Sequence, residues 1–408
     1  MRKKRQFFRL RNEEGNNIVS NQQQPPALYT DGLNKLMLVI EDVTNALISS
    51  KYNPWYYHGA LPQFYLWVLF LSGLLLFAYY IPTIDNAYLS TSAINAWTSV
   101  QYITESLPFG GVVRGIHRYA GDAMVIFIFL HAIRVWFTDR YRQYRWVQWV
   151  TGIILLGMVF FIGQTGFLLV WDERSLLLSR MTASAFESLP GIGPTLKTLF
   201  LNGDNITNLT MSNFLFIHIG LSFGLLFVLW LHYVRMTRPV LTPPPAINFV
   251  LTGVLLLFVF VFPIASGKPA DLNTSPTNFD IDWFFLFPYA MLASMPLVAF
   301  WFVMIVGSVA ILVVPWFVRN IAPPVSAAEV VLSKCTGCSL CARDCPFQAI
   351  EMVPAPAGSR FKLLATVKPY RCSSCGVCVG ACAFDAIDLP QLPDADLVAH
   401  IRALAEAK

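Results

Sequence analysis

Five apolar stretches, near residues 62–81, 116–137, 147–170, 213–236 and 247–264, each approach the length of helix that crosses a bilayer. That length is about 20 residues for a hydrocarbon core about 30 Å thick. A chain of this kind must satisfy its backbone inside lipid, so helices spanning a membrane are its first constraint. The run from Trp283 to Val318 is too long for one span and is broken by Pro288 and Pro296. It reads as an interfacial helix, Trp283–Met295, followed by a sixth span from about Leu297 to Val318. Only 13% of the residues are charged, against about 25% in soluble domains. The net charge of +5 is therefore read loop by loop, and nucleic-acid binding is set aside as a function class.

Arg2, Lys3, Lys4 and Arg5, then Arg140, Arg142 and Arg145, then Arg235 and Arg238 flank one set of span ends, while Asp85, Glu105, Asp172, Glu173, Glu187, Asp204, Asp271, Asp280 and Asp282 flank the other. By the positive-inside rule the basic side is cytosolic. Six spans then predict a multi-pass protein of the cytoplasmic membrane with both termini in the cytosol. Leu33, Leu36, Ile40, Val43 and Leu47 recur at helical spacing, so residues 31–49 read as an amphipathic helix at the inner surface. The first 24 residues lack the apolar core of a secretory signal.

Two histidine pairs share one spacing. His117 and His131 lie on the second span and His218 and His232 on the fourth, each pair 14 residues apart. Fourteen residues make about four helical turns, so each pair lies on nearly one face and covers about 21 Å of axis. Both helices run from outside to inside, which sets His117 opposite His218 near the outer surface and His131 opposite His232 near the inner one. Each pair forms a bis-histidine axial set for a planar macrocycle. Gly59 and Gly73 on the first span, and Gly152 and Gly166 on the third, repeat the 14-residue spacing at the same two levels. Glycine lets a neighbouring backbone approach the macrocycle. Arg114 and Arg118 near His117, and Arg134 and Arg235 three residues beyond the inner histidines, suit haem propionates. The bland alternative, histidines as helix contacts and glycines as packing, leaves the shared spacing without a reason. His58, beside Trp55 and Tyr57, reads as structural, and His400 as a solvated surface residue.

All eight cysteines fall between residues 335 and 382. Cys335, Cys338, Cys341 and Cys345 form C-x2-C-x2-C-x3-C, and Cys372, Cys375, Cys378 and Cys382 repeat it 37 residues later. That spacing points to [4Fe-4S] clusters. A zinc ribbon stops at two C-x2-C pairs, and a disulfide framework is disfavoured on the cytosolic side.

Three stretches, VQYITESLPFGGVVRGIHRYAGDAMVIFIFLHAIRVWFT, WVTGIILLGMVFFIGQTGFLLVWDE and NFLFIHIGLSFGLLFVLWLHYVR, resemble cytochrome b of the quinol-oxidising cytochrome bc and bf complexes, especially the short bf type. The likeness is close over residues 35–240 and weaker to 315. It implies a four-helix bundle around two b haems, an outer quinol-oxidising site, an inner quinone site near His232, Arg235 and Arg238, and a homodimer within a larger complex. The family's Pro-Glu-Trp-Tyr motif has its counterpart at Ile281, Asp282, Trp283 and Phe284. Asp282 would then be the carboxylate accepting a quinol proton, with Trp283 beside it; its other reading is a helix N-cap. LVWDE at 169–173 stands where the family has Leu-Pro-Trp, and no cysteine near the first span offers the extra covalent haem of the bf type. The cysteine module resembles bacterial two-cluster ferredoxin. That resemblance implies crossed ligation, one cluster on Cys335, Cys338, Cys341 and Cys382 and the other on Cys372, Cys375, Cys378 and Cys345.

The expected fold is mainly α: a six-span transmembrane bundle holding two b haems, with a small C-terminal α+β ferredoxin-like domain. Residues 1–60 form the tail and interfacial helix, 61–240 the di-haem domain, 241–320 two further spans with the quinol-site-like loop, 326–390 the ferredoxin domain and 391–408 a final helix. The expected function is an electron-transfer subunit linking membrane quinone, two haems and two cytosolic clusters to a cytosolic redox enzyme or carrier. No nucleotide fingerprint, Rieske pair or C-x-x-C-H is present, so a high-potential Rieske or cytochrome c subunit on the outer side is expected as a partner. The alternative is an anchor that wires a soluble oxidoreductase without its own quinone site. A transporter, suggested by six spans alone, gains nothing from ionisable residues placed like haem ligands.

Overall fold

A computed structural model describes residues 10–11, 17–18, 30–48, 52–84, 87–89, 92–138, 141, 145–234, 240–274, 285–319, 327–345, 348–356, 358–369, 372 and 377–390. Two short antiparallel pairs, β1 (Leu10–Arg11) with β2 (Asn17–Ile18) and β3 (Ala87–Leu89) with β4 (Ser92–Ile94), lie outside the helical body. The amphipathic stretch forms α1 (Thr30–Ile48). Its contact with the bundle runs through Met37 and Glu41, which are buried, while Leu36, Val43 and Leu47 stay exposed. The apolar face is thus left for a membrane surface, as the spacing predicts, and an acidic residue does the docking.

The apolar runs form α2 (Ala60–Phe77), α4 (Gly110–Phe137), α5 (Trp146–Leu168), α8 (Asn208–Tyr233), α9 (Pro245–Val261) and α11 (Leu297–Arg319). Among the described residues five are long and apolar enough to cross a membrane; α9, at 17 residues, is apolar but shorter. The expected fifth span reached residue 264, but Pro263 forces Phe262 out of the helical region (φ −125°, ψ 72°) and the helix stops at Val261. Phe249, Phe216 and Val298 point outward at 81%, 74% and 83% exposure, the pattern of helices solvated by lipid.

The connections are tied by local chemistry. α3 (Ala96–Gln101) opens with a capping box from Asn95 and runs into a π-helical turn, Tyr102–Ser106. Only glycine fits where α4 begins, because a Cβ on Gly110 would sit 2.0 Å from the Ile103 carbonyl oxygen. Asp172 caps α6 (Glu173–Glu187) through the Ser175 N–H at 2.9 Å and accepts the Gly267 N–H at 3.0 Å. The aspartate in LVWDE therefore joins two loops. α7 (Gly193–Leu201) ends in left-handed Asn202, and α10 (Phe287–Ser294) is the interfacial helix, shorter than Trp283–Met295. In the bundle α2 packs on α4 and α5 on α8, around Tyr65, Ala120, Met124, Val125, Leu155, Val159, Phe214 and Leu225. Indole donors fasten α11: Trp149 to the Ile311 carbonyl at 2.8 Å, and Trp301 to the Ala185 carbonyl at 2.9 Å.

The cysteine module has its own core. β5 (Glu329–Val330) pairs antiparallel with β8 (Ile387–Asp388), and β6 (Ile350–Pro354) with β7 (Leu363–Val367). Short helices α12 (Leu340–Asp344) and α13 (Val377–Gly380) carry Cys341 and Cys378 inward. The 37-residue repeat is visible in the backbone, since Gln348 and Asp385, three residues after the last cysteine of each run, both have positive φ (49° and 47°). The proposed C-terminal helix, 391–408, lies outside the described residues.

Candidate functional site

The four histidines meet in the predicted pairs. The ring centroids of His117 and His218 are 6.3 Å apart and those of His131 and His232 are 6.5 Å apart. Two imidazoles bound through Nε2 to one metal, with metal–nitrogen bonds of about 2.0 Å, would have their centroids about 6 Å apart. Both pairs fit that separation.

Hydroxyl groups set the ring tautomers. Ser72 Oγ lies 3.0 Å from His117 Nδ1, Thr165 Oγ1 3.1 Å from His218 Nδ1, and Thr151 Oγ1 2.9 Å from His232 Nδ1. Each hydroxyl has one proton, and each donates it to a carbonyl of its own helix, Val68, Ile162 and Val147 respectively, at 2.7 Å. What remains is lone pairs, so the imidazole must be the donor. The proton is on Nδ1, and the Nε2 lone pair is free to face the opposite histidine. His218 Nδ1 also lies 3.0 Å from the Ile162 carbonyl oxygen, which strengthens the same assignment.

Each of the four glycines lies beside one of the four histidine rings. A Cβ on Gly73 would lie 3.1 Å from His117 Cε1, on Gly166 3.3 Å from His218 Cε1, on Gly152 3.4 Å from His232 Cε1 and on Gly59 3.7 Å from His131 Cε1. Each glycine thus backs an imidazole of the neighbouring helix, and at Gly73 and Gly166 the missing side chain makes room for the ring. Three of the four follow a hydroxyl residue, Ser72–Gly73, Thr151–Gly152 and Thr165–Gly166. That dipeptide was the readable signal for the residues that sequence reasoning missed.

The arginines have protein partners. Arg114 donates to Thr104 Oγ1 at 2.7 Å and Ser266 Oγ at 2.9 Å. Arg118 pairs with Asp122 one turn on, and its guanidinium lies 4.7 Å over the Phe167 ring. Arg134 forms a largely buried pair with Glu41 of α1, Nη2 to Oε1 at 2.7 Å. Nothing in the spacing of a distant helix pointed to Glu41. Arg235, Asp282 and Trp283 lie outside the described residues. The helix that follows them carries Tyr289, whose hydroxyl meets Thr182 Oγ1 at 2.7 Å and is pushed up to about 12 by burial. Phe285 is buried against Gly163, where a Cβ would come within 2.2 Å of its ring.

In the cysteine module one small cavity is lined by Cys335, Cys338, Cys341 and Cys382. The fourth cysteine of the second run therefore joins the first three of the first. Burial pushes the Cys341 thiol up, and Cys338, Cys335 and Cys382 beside it push the same way, an environment that favours sharing charge with a cationic cluster. Backbone N–H groups point at the sulfurs in a repeated manner: Ala349 to Cys345 Sγ and Ala386 to Cys382 Sγ, both at 3.3 Å, with Ala328 to Cys372 Sγ at 3.4 Å. Cys345, Cys372 and Cys378 are buried, and Cys375 lies outside the described residues.

Comparison with known proteins agrees with this division. Residues 43–239 match the family model for cytochrome b/b6/petB, and residues 334–386 match that for a 4Fe-4S dicluster domain. The menaquinol:cytochrome c reductase cytochrome b subunit of Geobacillus thermodenitrificans is 32% identical over 191 residues, 46% of this chain and 81% of the relative. The same subunit of Bacillus subtilis (strain 168) is 33% identical over 165 residues, 40% of this chain and 70% of the relative. Cytochrome b6 of Heliomicrobium gestii is 32% identical over 182 residues, 44% of this chain and 81% of the relative. A chain of a hyperthermophilic respiratory Complex III shares the fold, with a TM-score of 0.52 at 18% identity over 70% of this chain and 82% of its own. The chain belongs to the cytochrome b/b6 family, with a 4Fe-4S dicluster ferredoxin domain at its C-terminal end.

Proposed function

We propose that this chain is the membrane electron-transfer subunit of a cytochrome bc-like complex, passing electrons between quinone, two b haems and two cytosolic [4Fe-4S] clusters. The observation that carries the reading is the pair of facing imidazole sets at 6.3 and 6.5 Å, three of whose four Nδ1 atoms hydrogen-bond to a hydroxyl already committed as donor elsewhere. His117 with His218 and His131 with His232 would each hold one haem, and the cysteines would hold two clusters in the crossed arrangement. Haem b and [4Fe-4S] supply one-electron carriers when bound. The chain's own part is to hold each ring with Nε2 presented, to keep the cofactor faces dry between packed helices, and to fix the order of the centres along one axis.

The two histidine levels are about 21 Å apart along the helices. The linker of roughly ten residues after α11 reaches about 35 Å when extended, which would keep the clusters near the end of that helix. With six spans and cytosolic termini, the path would run from an outer quinone pocket through the His117 and then the His131 level to an inner quinone pocket and the clusters. Asp282 would take a quinol proton, with Trp283 beside it. A Rieske or cytochrome c type subunit would serve the outer side, a cytosolic redox enzyme or carrier the clusters, and a second copy of the chain would complete a dimer. Electrons entering from a low-potential cytosolic donor would reduce quinone at the inner pocket. The opposite flow, from outer quinol to the clusters, works against the membrane potential by about 2.3 kcal/mol per charge per 100 mV and needs bifurcation or a strongly reducing quinol.

Replacing His218 with Ala in the full chain tests the assignment. The expected result is loss of one b haem signal with the other retained; retention of both removes His218 as a ligand.

A further inference from the structure

The cysteine module is built along the β6–β7 hairpin, and the two ends of that hairpin differ. At the root, where Ile350 pairs with Val367, the Ala349 N–H points at Cys345 Sγ at 3.3 Å. There Lys368 donates its N–H to the Ala349 carbonyl at 2.6 Å, and Cys372 donates to the Lys368 carbonyl at 3.1 Å. The chain enters the module at this end, because the Ala328 N–H lies 3.4 Å from Cys372 Sγ, and residues 320–327 alone part Ala328 from Arg319, the last of α11. At the tip, where Pro354 pairs with Leu363, the Leu363 carbonyl lies against Gly337, where a Cβ would come within 2.2 Å of the oxygen. Four strand steps from Leu363 to Val367 cover about 14 Å. The loop of Cys335 and Cys338 thus adjoins one end of the hairpin, and Cys345 and Cys372 adjoin the other.

Access and charge follow the same division. Cys345, Cys372 and Cys378 are buried, whereas Cys338 is exposed, and Phe384, which lines the cavity with it, is 48% exposed. Leu363, at the tip, is 41% exposed. Apolar side chains around an opening, ringed by charge, have the form of a small transient protein contact. Residues 330–343 and 352–384 carry Lys334, Arg343, Arg360, Lys362, Lys368 and Arg371 and no Asp or Glu. Lys368 is tied to Glu351 at 2.6 Å at the root, and Arg343 meets Asp344 at 3.5 Å. Among the described residues Lys334, Arg360 and Lys362, all exposed, enter no ion pair, and Arg360 lies 5.8 Å over the Phe361 ring. Asp385, next to Phe384, is the carboxylate nearest the opening along the chain, one against these three bases.

We propose that the hairpin tip and the Cys335–Cys338 loop are the docking face for the cytosolic partner, a soluble protein with an acidic surface around a one-electron centre. This names the partner's chemistry for the electron-transfer reading above and rests on it. Cys338 and Phe384 form the point of closest approach, and Lys334, Arg360 and Lys362 steer the encounter, as charges at the rim of an interface do. One electron crosses per encounter, lost by one protein and gained by the other, with no bond made or broken. The root, where the linker joins, is the end nearest along the chain to α11. Anionic lipid is the other surface that a basic rim attracts. The exposed Cys338, and the entry of the linker at the far end beside Cys372, favour the protein.

Hydrogen exchange of the full, cluster-loaded chain in lipid nanodiscs reads the contact directly, with an acidic flavodoxin as the probe. In phosphatidylcholine discs at low salt, flavodoxin should protect the tip, residues 355–362, and leave the Lys368 amide at the root unchanged. Arg360→Gln and Lys362→Gln should each weaken flavodoxin binding about threefold, and Lys368→Gln, an equal loss of charge at the root, less than about twofold. These differences should vanish in about 0.5 M salt. Basic cytochrome c, offered in place of flavodoxin, should leave the tip unprotected. Protection of the tip on exchanging phosphatidylcholine for phosphatidylglycerol, with no flavodoxin present, would give the face to lipid and overturn the proposal. Absence of protection by flavodoxin, equal weakening by all three variants, or equal protection by cytochrome c would overturn it too. A chain whose iron and sulfide account for fewer than two clusters fails the underlying reading first, before any probe is added.

Discussion

Adding a single methyl group at each of the four glycines should cost haem in a graded order. The added Cβ would stand 3.1 Å from the imidazole carbon at Gly73, 3.3 Å at Gly166, 3.4 Å at Gly152 and 3.7 Å at Gly59. Carbon atoms rest about 3.5–4.0 Å apart. Gly59→Ala is thus an ordinary contact, whereas Gly73→Ala must push the His117 ring off its axis by several tenths of an ångström. Overpacking of that kind costs about 1–3 kcal/mol, which weakens haem binding at the His117–His218 centre about tenfold or more. Gly59→Ala should stay within about twofold of wild type. Alanine also favours helix by about 1 kcal/mol, so the haem-free variants should melt no lower than wild type, which separates a lost ligand fit from misfolding. Gly157 and Gly220, where a Cβ meets nothing within 4 Å, serve as controls. The assay is haem stoichiometry by pyridine haemochrome with redox-resolved spectra. Equal losses at all four sites, or loss at Gly59→Ala with none at Gly73→Ala, would refute the reasoning.

Ser72→Ala and Thr151→Val each remove a hydroxyl acceptor from one imidazole N–H. Each should raise the midpoint potential of its own haem and leave the other unmoved, because a weaker Nδ1 hydrogen bond makes a less basic ligand. Cys382→Ser should abolish the magnetic signal of the cluster shared with Cys335, Cys338 and Cys341; loss of the Cys372–Cys378 cluster instead would mean ligation run by run. Asp282→Asn should slow quinol-dependent haem reduction, and unchanged rates would remove the outer-site role. His58, depressed from 6.5 to about 4, takes up its proton more readily unfolded than folded. Its contribution to stability is complete above pH 6.5 and declines as pH falls toward 4, by about 3 kcal/mol at most. His58→Gln should flatten that part of the acid limb of thermal stability.

Periodicity made the helices and their partners legible. The 14-residue spacing predicted which histidines would face each other, because four turns return a side chain to one face whatever surrounds the helix. It did not reveal why glycine is needed, since the ring being backed belongs to a neighbouring helix, and the hydroxyl before each glycine gains meaning only when that ring is in place. The pairing of Glu41 with Arg134 links residues 93 positions apart, which no local pattern encodes. The end of α9 was legible in principle from Pro263, whose constraint on Phe262 outweighed the two further apolar residues, Phe262 and Ile264. In the cysteine module the spacing identified the cluster type, and Cys382 lines one cavity with Cys335, Cys338 and Cys341.

The central claim is that one chain carries two bis-histidine haems and two clusters as a connected series. A potentiometric titration of the purified full chain, following haem optical bands and cluster magnetic signals together, tests it most directly. The account predicts two low-spin b haems and two [4Fe-4S] clusters per chain. Clusters far below both haems would mark electron entry from a cytosolic donor, and clusters near them a reversible outlet for quinol electrons. A single haem, a high-spin haem lacking its second histidine, or a module that binds no iron-sulfur cluster would contradict it.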